Sequence, residues 1–215
     1  MARRTMTTAA IAFTASTALS LLLTACGGSD DSPSDDIKGA DTGTNSPSPS
    51  ASDSAASDAH RPDIKLPETF QADFEGWTNS DPALQTALND GKERLRASYA
   101  AIIDGDPEAD YLSYYSGTAA MSTGSAWVKG YKGLTITGEV KVYDPEITYL
   151  GDAKTSATLF YCVDESKGYS KDLKTGETAG TPEGESPKVQ YRTSLGKQSD
   201  GVWKTLTVET EPGGC

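Results

Sequence analysis

A chain of 215 residues with 31 acidic and 19 basic side chains carries a formal net charge of −12. That balance argues against a nucleic acid partner and against docking on an anionic lipid surface through a basic patch. The one histidine, His60, falls in a low-complexity stretch, which removes Ser-His-Asp and Cys-His nucleophilic chemistry and histidine metal sites.

The chain opens on a cationic head ending in Arg3-Arg4, followed by a broken apolar run over residues 11–23. Positive charge resists translocation, and the run falls short of the about 20 apolar residues that a membrane-spanning helix needs. With small residues at its exit, the segment over 1–25 reads as a cleavable signal peptide. Its last residues, Leu23-Thr24-Ala25, and the following Cys26 resemble the lipobox of bacterial lipoproteins. The resemblance implies that the Cys26 thiol receives a diacylglyceryl group and that the leader is cut just before it. The arginine pair leaves Sec and Tat export both open. The expected location is the extracytoplasmic face of the cell membrane, with the lipid as the only anchor.

Cys26, Cys162 and Cys215 are the three cysteines. With lipid on the first, the other two can pair, and an exported protein sits where such a bond persists. A bond at Cys215 would hold a final strand that otherwise frays.

Residues 26–66 are Ser, Asp, Pro, Ala, Gly and Thr with almost no large apolar side chain. Such a stretch buries too little to offset its ordering entropy, so the expectation is a disordered spacer. About 40 residues of this composition reach roughly 35 Å on average, enough to lift a domain off a membrane surface.

Residues 67–215 are long enough for one domain with a real core. Asp81-Pro82 places an N-cap before a proline at the first helical position, and Asp104-Gly105 supplies the stop. Between them Leu84, Leu88, Leu95, Tyr99, Ile102 and Ile103 recur at helical spacing, with Lys92, Glu93, Arg94 and Arg96 expected to face water. Asp106-Pro107-Glu108 repeats the start signal and predicts a short helix through Tyr111, Leu112, Tyr114 and Tyr115. A third helix is expected over 118–132, with Gly133 as its stop.

The second half changes period. Strands are expected over 134–143, 146–150, 155–164, 188–195 and 202–210, with the clearest alternation at Ala157, Leu159, Tyr161, Val163 and at Val189, Tyr191, Thr193, Leu195. Ser199-Asp200-Gly201 reads as a tight turn, and 174–187 as a long mobile hairpin loop. Helices first and an antiparallel sheet afterwards define an α+β domain with the long helix on the sheet's concave face.

That order, with Lys132-Gly133-Leu134-Thr135-Ile136-Thr137-Gly138, Asp144-Pro145, Cys162-Val163-Asp164-Glu165-Ser166, Lys171-Asp172-Leu173-Lys174-Thr175-Gly176-Glu177, Asp200-Gly201-Val202-Trp203-Lys204 and Cys215, resembles the nuclear transport factor 2-like, cystatin-like cone. It is similar in particular to the small actinobacterial lipoproteins built on that cone. The resemblance implies that Cys162 and Cys215 are structural partners. It also implies a pocket between the long helix and the concave face, for which Tyr111, Tyr115, Trp127, Tyr131, Phe160 and Trp203 are the candidate lining residues.

No motif carries catalysis. Ser194-Leu195-Gly196-Lys197 has Ser-x-x-Lys spacing and Lys174-Thr175-Gly176 a Lys-Thr-Gly, but on a strand end and in reversed order for a penicillin-binding centre. Asp104, Asp106, Glu108 and Asp110 form an acidic ladder without the central glycine and final glutamate of a calcium loop, those positions being Ala109 and Tyr115. The ladder reads as a helix stop followed by first-turn carboxylates that favour the helix dipole. The expected function is a lipid-anchored, non-catalytic binding or accessory domain for a small apolar ligand or an envelope protein, with no cofactor and no metal. The alternative is a cone-fold lyase or isomerase using Asp and Tyr as acid and base.

Overall fold

The computed structural model describes residues 61–215. The leader, Cys26, His60 and all but the last residues of the spacer lie outside the described residues.

The first strand, β1 (Phe70–Phe74), was not anticipated from the sequence: it is five residues long with one fully buried side chain, Phe70. Too short for a readable alternation, it is held by parallel pairing along β2 (Leu134–Tyr149), from Phe70↔Gly138 to Phe74↔Val142.

The long helix α1 (Pro82–Asp104) has the predicted ends. Asp81 Oδ1 accepts from the N–H groups of Ala83 at 2.8 Å and Leu84 at 3.2 Å, and Gly105 closes the helix at φ 67°, a backbone conformation that glycine adopts without a Cβ penalty. Leu84, Leu88, Leu95, Tyr99 and Ile102 are buried as the periodicity predicts. Arg94 is not on the water-facing side. It is 6% exposed and belongs to a buried polar seam, Asp90, Arg94 and Ser98, whose spacing of four places all three on one face of the helix. Arg96 remains at the surface and donates to the Ile64 carbonyl at 2.7 Å.

The next start signal acts three residues late. Asp106 Oδ1 accepts from Glu108 N–H and makes a turn rather than a cap, so α2 (Asp110–Tyr114) begins behind Ala109 with no side-chain cap. Helix α3 (Thr118–Gly130) stops two residues before the expected end; Leu134 N–H then bonds to the Tyr131 carbonyl across the turn.

The sheet follows as β2 (Leu134–Tyr149), β3 (Ser156–Asp172), β4 (Thr178–Ala179), β5 (Lys188–Lys197) and β6 (Trp203–Pro212), in the spatial order β1-β2-β3-β5-β6 with β4 against β3. All pairs but β1–β2 are antiparallel. Asp144-Pro145, expected to separate two strands, is instead a bulge within one, where the β2–β3 register shifts between Tyr143 and Glu146 and Asp144 takes φ 51°. Such bulges bend a strand, which suits a sheet curled around a helix. Strand β3 runs eight residues past Asp164: its buried alternation ends at Val163, but backbone pairing with the first half of β2 continues to Asp172. The loop 174–187 contains β4, whose two residues pair with Ser170 and Lys171.

The result is α+β, with the helices packed on the inner face of the curled sheet. Ala157, Leu159, Tyr161 and Val163 of β3, with Tyr191 and Leu195 of β5, form the buried face beneath α1. Two ties cross between elements. Asp90 joins α1 to Arg61 and to the Trp203 N–H at the start of β6. Cys162 on β3 is disulfide-bonded to Cys215 beyond β6, with Cα atoms 6.1 Å apart.

Candidate ligand cavity

A cavity of about 360 Å³ opens between α1, α3 and the inner face of β3, β5 and β6. Helix α1 contributes Arg94 and Leu95, α3 contributes Thr123, Gly124 and Trp127, and Tyr131 caps it from the turn after α3. The sheet side is Glu165 of β3, Val189 and Tyr191 of β5, and Val208, Thr210 and Pro212 of β6.

Aromatic rings stand in two groups behind and along this space. Trp127 meets Tyr131 edge-on at 5.8 Å between centroids and Tyr99 at 6.1 Å. Tyr191 stacks on Tyr161 at 5.0 Å with planes 8° apart. Offset and edge-on contacts of this kind stabilise each group beyond the area it buries. Burial holds the Tyr99, Tyr161 and Tyr191 phenols above the ordinary tyrosine range, so they are neutral at any physiological pH.

Two charged side chains face the cavity. Arg94 sends Nη1 to Ser98 Oγ at 2.9 Å and Nη2 to the Ala120 carbonyl at 3.2 Å. Its Nε is buried with no hydrogen-bond partner, and no carboxylate among the described residues ion-pairs with it. Burial pulls its pKa down, opposed by Tyr161 and Tyr191, but a guanidinium stays protonated in proteins. Gly124 is what admits it: a Cβ there would stand 3.0 Å from Arg94 Nη2. Glu165 lines the other part of the cavity, and burial, with Asp164 beside it, pushes its carboxyl above the usual glutamate range.

Of the six aromatics predicted to line a pocket, Trp127 and Tyr131 do. Tyr115 and Trp203 are each 1% exposed and fill the core. Tyr111 sits at the rim of α1 and α2, its hydroxyl donating to Asp104 Oδ2 at 2.6 Å. Phe160 occupies the sheet's other face, one residue from buried Leu159, with the Arg192 guanidinium 5.5 Å over its ring. That Asp104 contact and the Asp106 turn account for two members of the acidic ladder; among the described residues no cluster of three carboxylate, histidine or cysteine side chains is placed to hold a metal ion. Arg94, Gly124, Glu165 and Tyr191 were not singled out from sequence as site residues. Tyr191 lay in a recognised inward alternation, and Arg94 stood four residues from both Asp90 and Ser98 on an otherwise apolar face; Glu165 is the next position after Val163 in the alternation of β3, one residue past the strand end expected from the sequence. The carboxylate that lines the cavity beside the tyrosines is thus a glutamate, and among the described residues no aspartate lines it.

No protein-family model matches the chain, and no curated protein matches it. Among solved structures it is similar to the intermembrane space region of the chloroplast protein ARC6, at 12% identity and TM-score 0.44, over 60% of this chain and 95% of that one. A nuclear transport factor 2-like superfamily protein from Salmonella enterica serovar Typhimurium shows 14% identity and TM-score 0.41, over 60% and 92% of the two chains. A protein from Catenulispora acidiphila shows 12% identity and TM-score 0.41, over 60% and 94%.

Proposed function

We propose that this chain is a lipoprotein held at the extracytoplasmic face of the cell membrane by a lipid on Cys26. In this reading, the Ser-, Asp- and Pro-rich stretch that follows Cys26 is a spacer. The domain that binds a small ligand in the cavity beneath α1 includes residues 61–66, expected from the sequence to belong to the spacer, since Arg61 pairs with Asp90 and Ile64 is buried in the core. The observation that carries the binding role is the cavity itself: a space of about 360 Å³ lined by Trp127, Tyr131, Tyr191 and the buried Arg94, within the size range of small-molecule sites. Support for the location comes from the Leu23-Thr24-Ala25-Cys26 run and from the Cys162–Cys215 pair, a bond at home in an oxidising compartment. Among the described residues no helix is long and apolar enough to cross a membrane, so attachment in this reading rests on the acyl chains.

Each half has its own test. Cys26→Ala is expected to abolish incorporation of radiolabelled fatty acid and to move the protein out of the membrane fraction; retention there without label would rule out the lipid anchor. For the cavity, the mature chain (residues 26–215, Cys26→Ser, unlipidated) is titrated into the neutral fluorophore N-phenyl-1-naphthylamine. The expected result is a saturable rise in emission with a stoichiometry of one. A linear, non-saturating response would remove the ligand-binding role.

A further inference from the structure

We infer that the cavity takes a small organic monoanion, a flat apolar body bearing one carboxylate, with the carboxylate held by Arg94. The inference deepens the ligand-binding reading and rests on it. Its starting point is how unequally this fold treats its two buried charges on α1. Asp90 is matched by a guanidinium: Arg61 Nη2 lies 2.8 Å from Oδ1 and 3.0 Å from Oδ2. Arg94, one turn further along, is as deeply buried and has only neutral acceptors, a hydroxyl and a backbone carbonyl. Neutral acceptors satisfy N–H groups but leave the charge uncompensated, and a buried unpaired charge is costly.

The unmatched charge points somewhere in particular. Arg94 lines the cavity, and its Nε is the buried donor left without a partner. A guanidinium binds carboxylates through adjacent parallel N–H groups, and Nη1 and Nη2 each carry a second N–H beyond the one given to Ser98 and to Ala120. Gly124 leaves room for the guanidinium, since a Cβ there would stand 3.0 Å from Nη2.

The remaining walls select the rest of the ligand. Trp127, Tyr131 and Tyr191 present ring faces and edges, and Leu95, Val189 and Val208 fill between them, a surface that favours a flat apolar body. Among the described residues Arg94 is the one cation lining the space, and Glu165 lines it too. A second negative group on the ligand would face that carboxylate, which disfavours dianions and phosphorylated compounds.

The test uses charge-matched probes on the unlipidated mature chain by isothermal titration calorimetry. The probes are 2-naphthoate, its neutral isostere 2-naphthamide, and 2,6-naphthalenedicarboxylate. The expected result is that 2-naphthoate binds about 10- to 100-fold more tightly than 2-naphthamide, the range a buried charge-assisted hydrogen bond supplies, and that the dicarboxylate binds more weakly than the monocarboxylate. Arg94→Met, checked by thermal melting, is expected to level naphthoate with naphthamide while N-phenyl-1-naphthylamine still binds. Should that variant fail to fold, Arg94→Lys keeps a positive charge without the planar donor set and is expected to lose most of the naphthoate preference. Equal affinity of naphthoate and naphthamide for the unaltered Arg94 site, or a preference that survives in a folded Arg94→Met chain, would overturn the anion assignment and leave the cavity reading intact. If none of the probes binds, the cavity reading falls and the anion assignment with it.

Discussion

Asp90→Ala is expected to destabilise the domain by about 3–5 kcal/mol, the cost typical of breaking a buried ion pair by removing one partner. The carboxylate is 1% exposed in the middle of α1. Its Oδ1 accepts from Arg61 Nε at 3.1 Å and Nη2 at 2.8 Å; its Oδ2 accepts from Arg61 Nη2 at 3.0 Å and from the Trp203 N–H at 2.8 Å. Alanine would strip the Trp203 N–H of its acceptor in a region where Trp203 is itself 1% exposed, and an orphaned buried donor carries its full desolvation cost. It would also leave a space where the carboxylate stood. Asp90→Asn separates these contributions, because an amide oxygen can still serve the Trp203 N–H while the charge matched to Arg61 is gone. The expected order of stability is wild type, then Asn, then Ala, read from urea melts with the slope unchanged. For a domain of this size the alanine variant should melt on the order of 10 °C lower. An alanine variant within about 1 kcal/mol of wild type would mean that the Arg61–Asp90 contact behaves like an exposed surface pair and does not tie the N-terminal segment to the core.

The same residue shows where sequence reasoning reaches its limit. A helical pattern assigns faces by hydropathy, so it placed Arg94 in water and gave no role to Asp90. Both are buried because a 23-residue helix enclosed by a curled sheet, α3 and the N-terminal segment is contacted on more than one side. Polar residues on those further sides are buried with partners distant in sequence, Arg61 and Trp203 for Asp90 and Ala120 for Arg94. The ends of α1 were legible because Asp81, Pro82 and Gly105 act locally through the chain's own N–H and C=O groups. The inward halves of β3 and β5 were legible because alternate burial leaves alternate hydropathy. The far half of β3 and all of β4 were not, since their exposed strands are held by backbone pairing that asks little of side chains.

Aromatic content also fell short as a guide to the cavity. Trp127 and Trp203 look alike in a sequence, yet one lines the space and the other closes the core at the start of β6. What separates them is the element that carries each and what packs on it. Trp127 stands on α3, which lines the cavity, while the Trp203 N–H is tied to Asp90 of α1. Phe160 illustrates the strand rule in the other direction: as the neighbour of inward Leu159 it must face outward, a consequence available from the alternation that identified β3.

Reduction of the Cys162–Cys215 bond is expected to lower stability by about 4 kcal/mol in the chain-entropy model, with melting falling on the order of 10 °C. The bond closes a loop with a sequence separation of 53, which holds the far half of β3 and all of β4, β5 and β6, so opening it frees a large part of the unfolded chain. In the folded state it restrains much less. Residues 213–215 strap across β5: Gly213 N–H bonds to the Lys188 carbonyl at 2.7 Å, and Gln190 Nε2 donates to the Gly214 carbonyl at 3.2 Å. Cys162 and Gln190 are cross-strand neighbours, so the strap covers the outward face of the sheet, opposite the cavity. The loss should therefore act on the unfolded ensemble and leave the site alone. The measurement is thermal melting of the Cys162→Ser, Cys215→Ser double variant, which avoids free thiols, alongside naphthylamine titration at 25 °C. Melting should drop while probe affinity stays within about twofold, the scatter expected of a distant independent site. If melting were unchanged, the bond would stabilise the folded and unfolded chains equally; if affinity collapsed as well, the outward strap would have to be transmitting its tension through β3 to Glu165, three residues from Cys162 on the strand that lines the cavity.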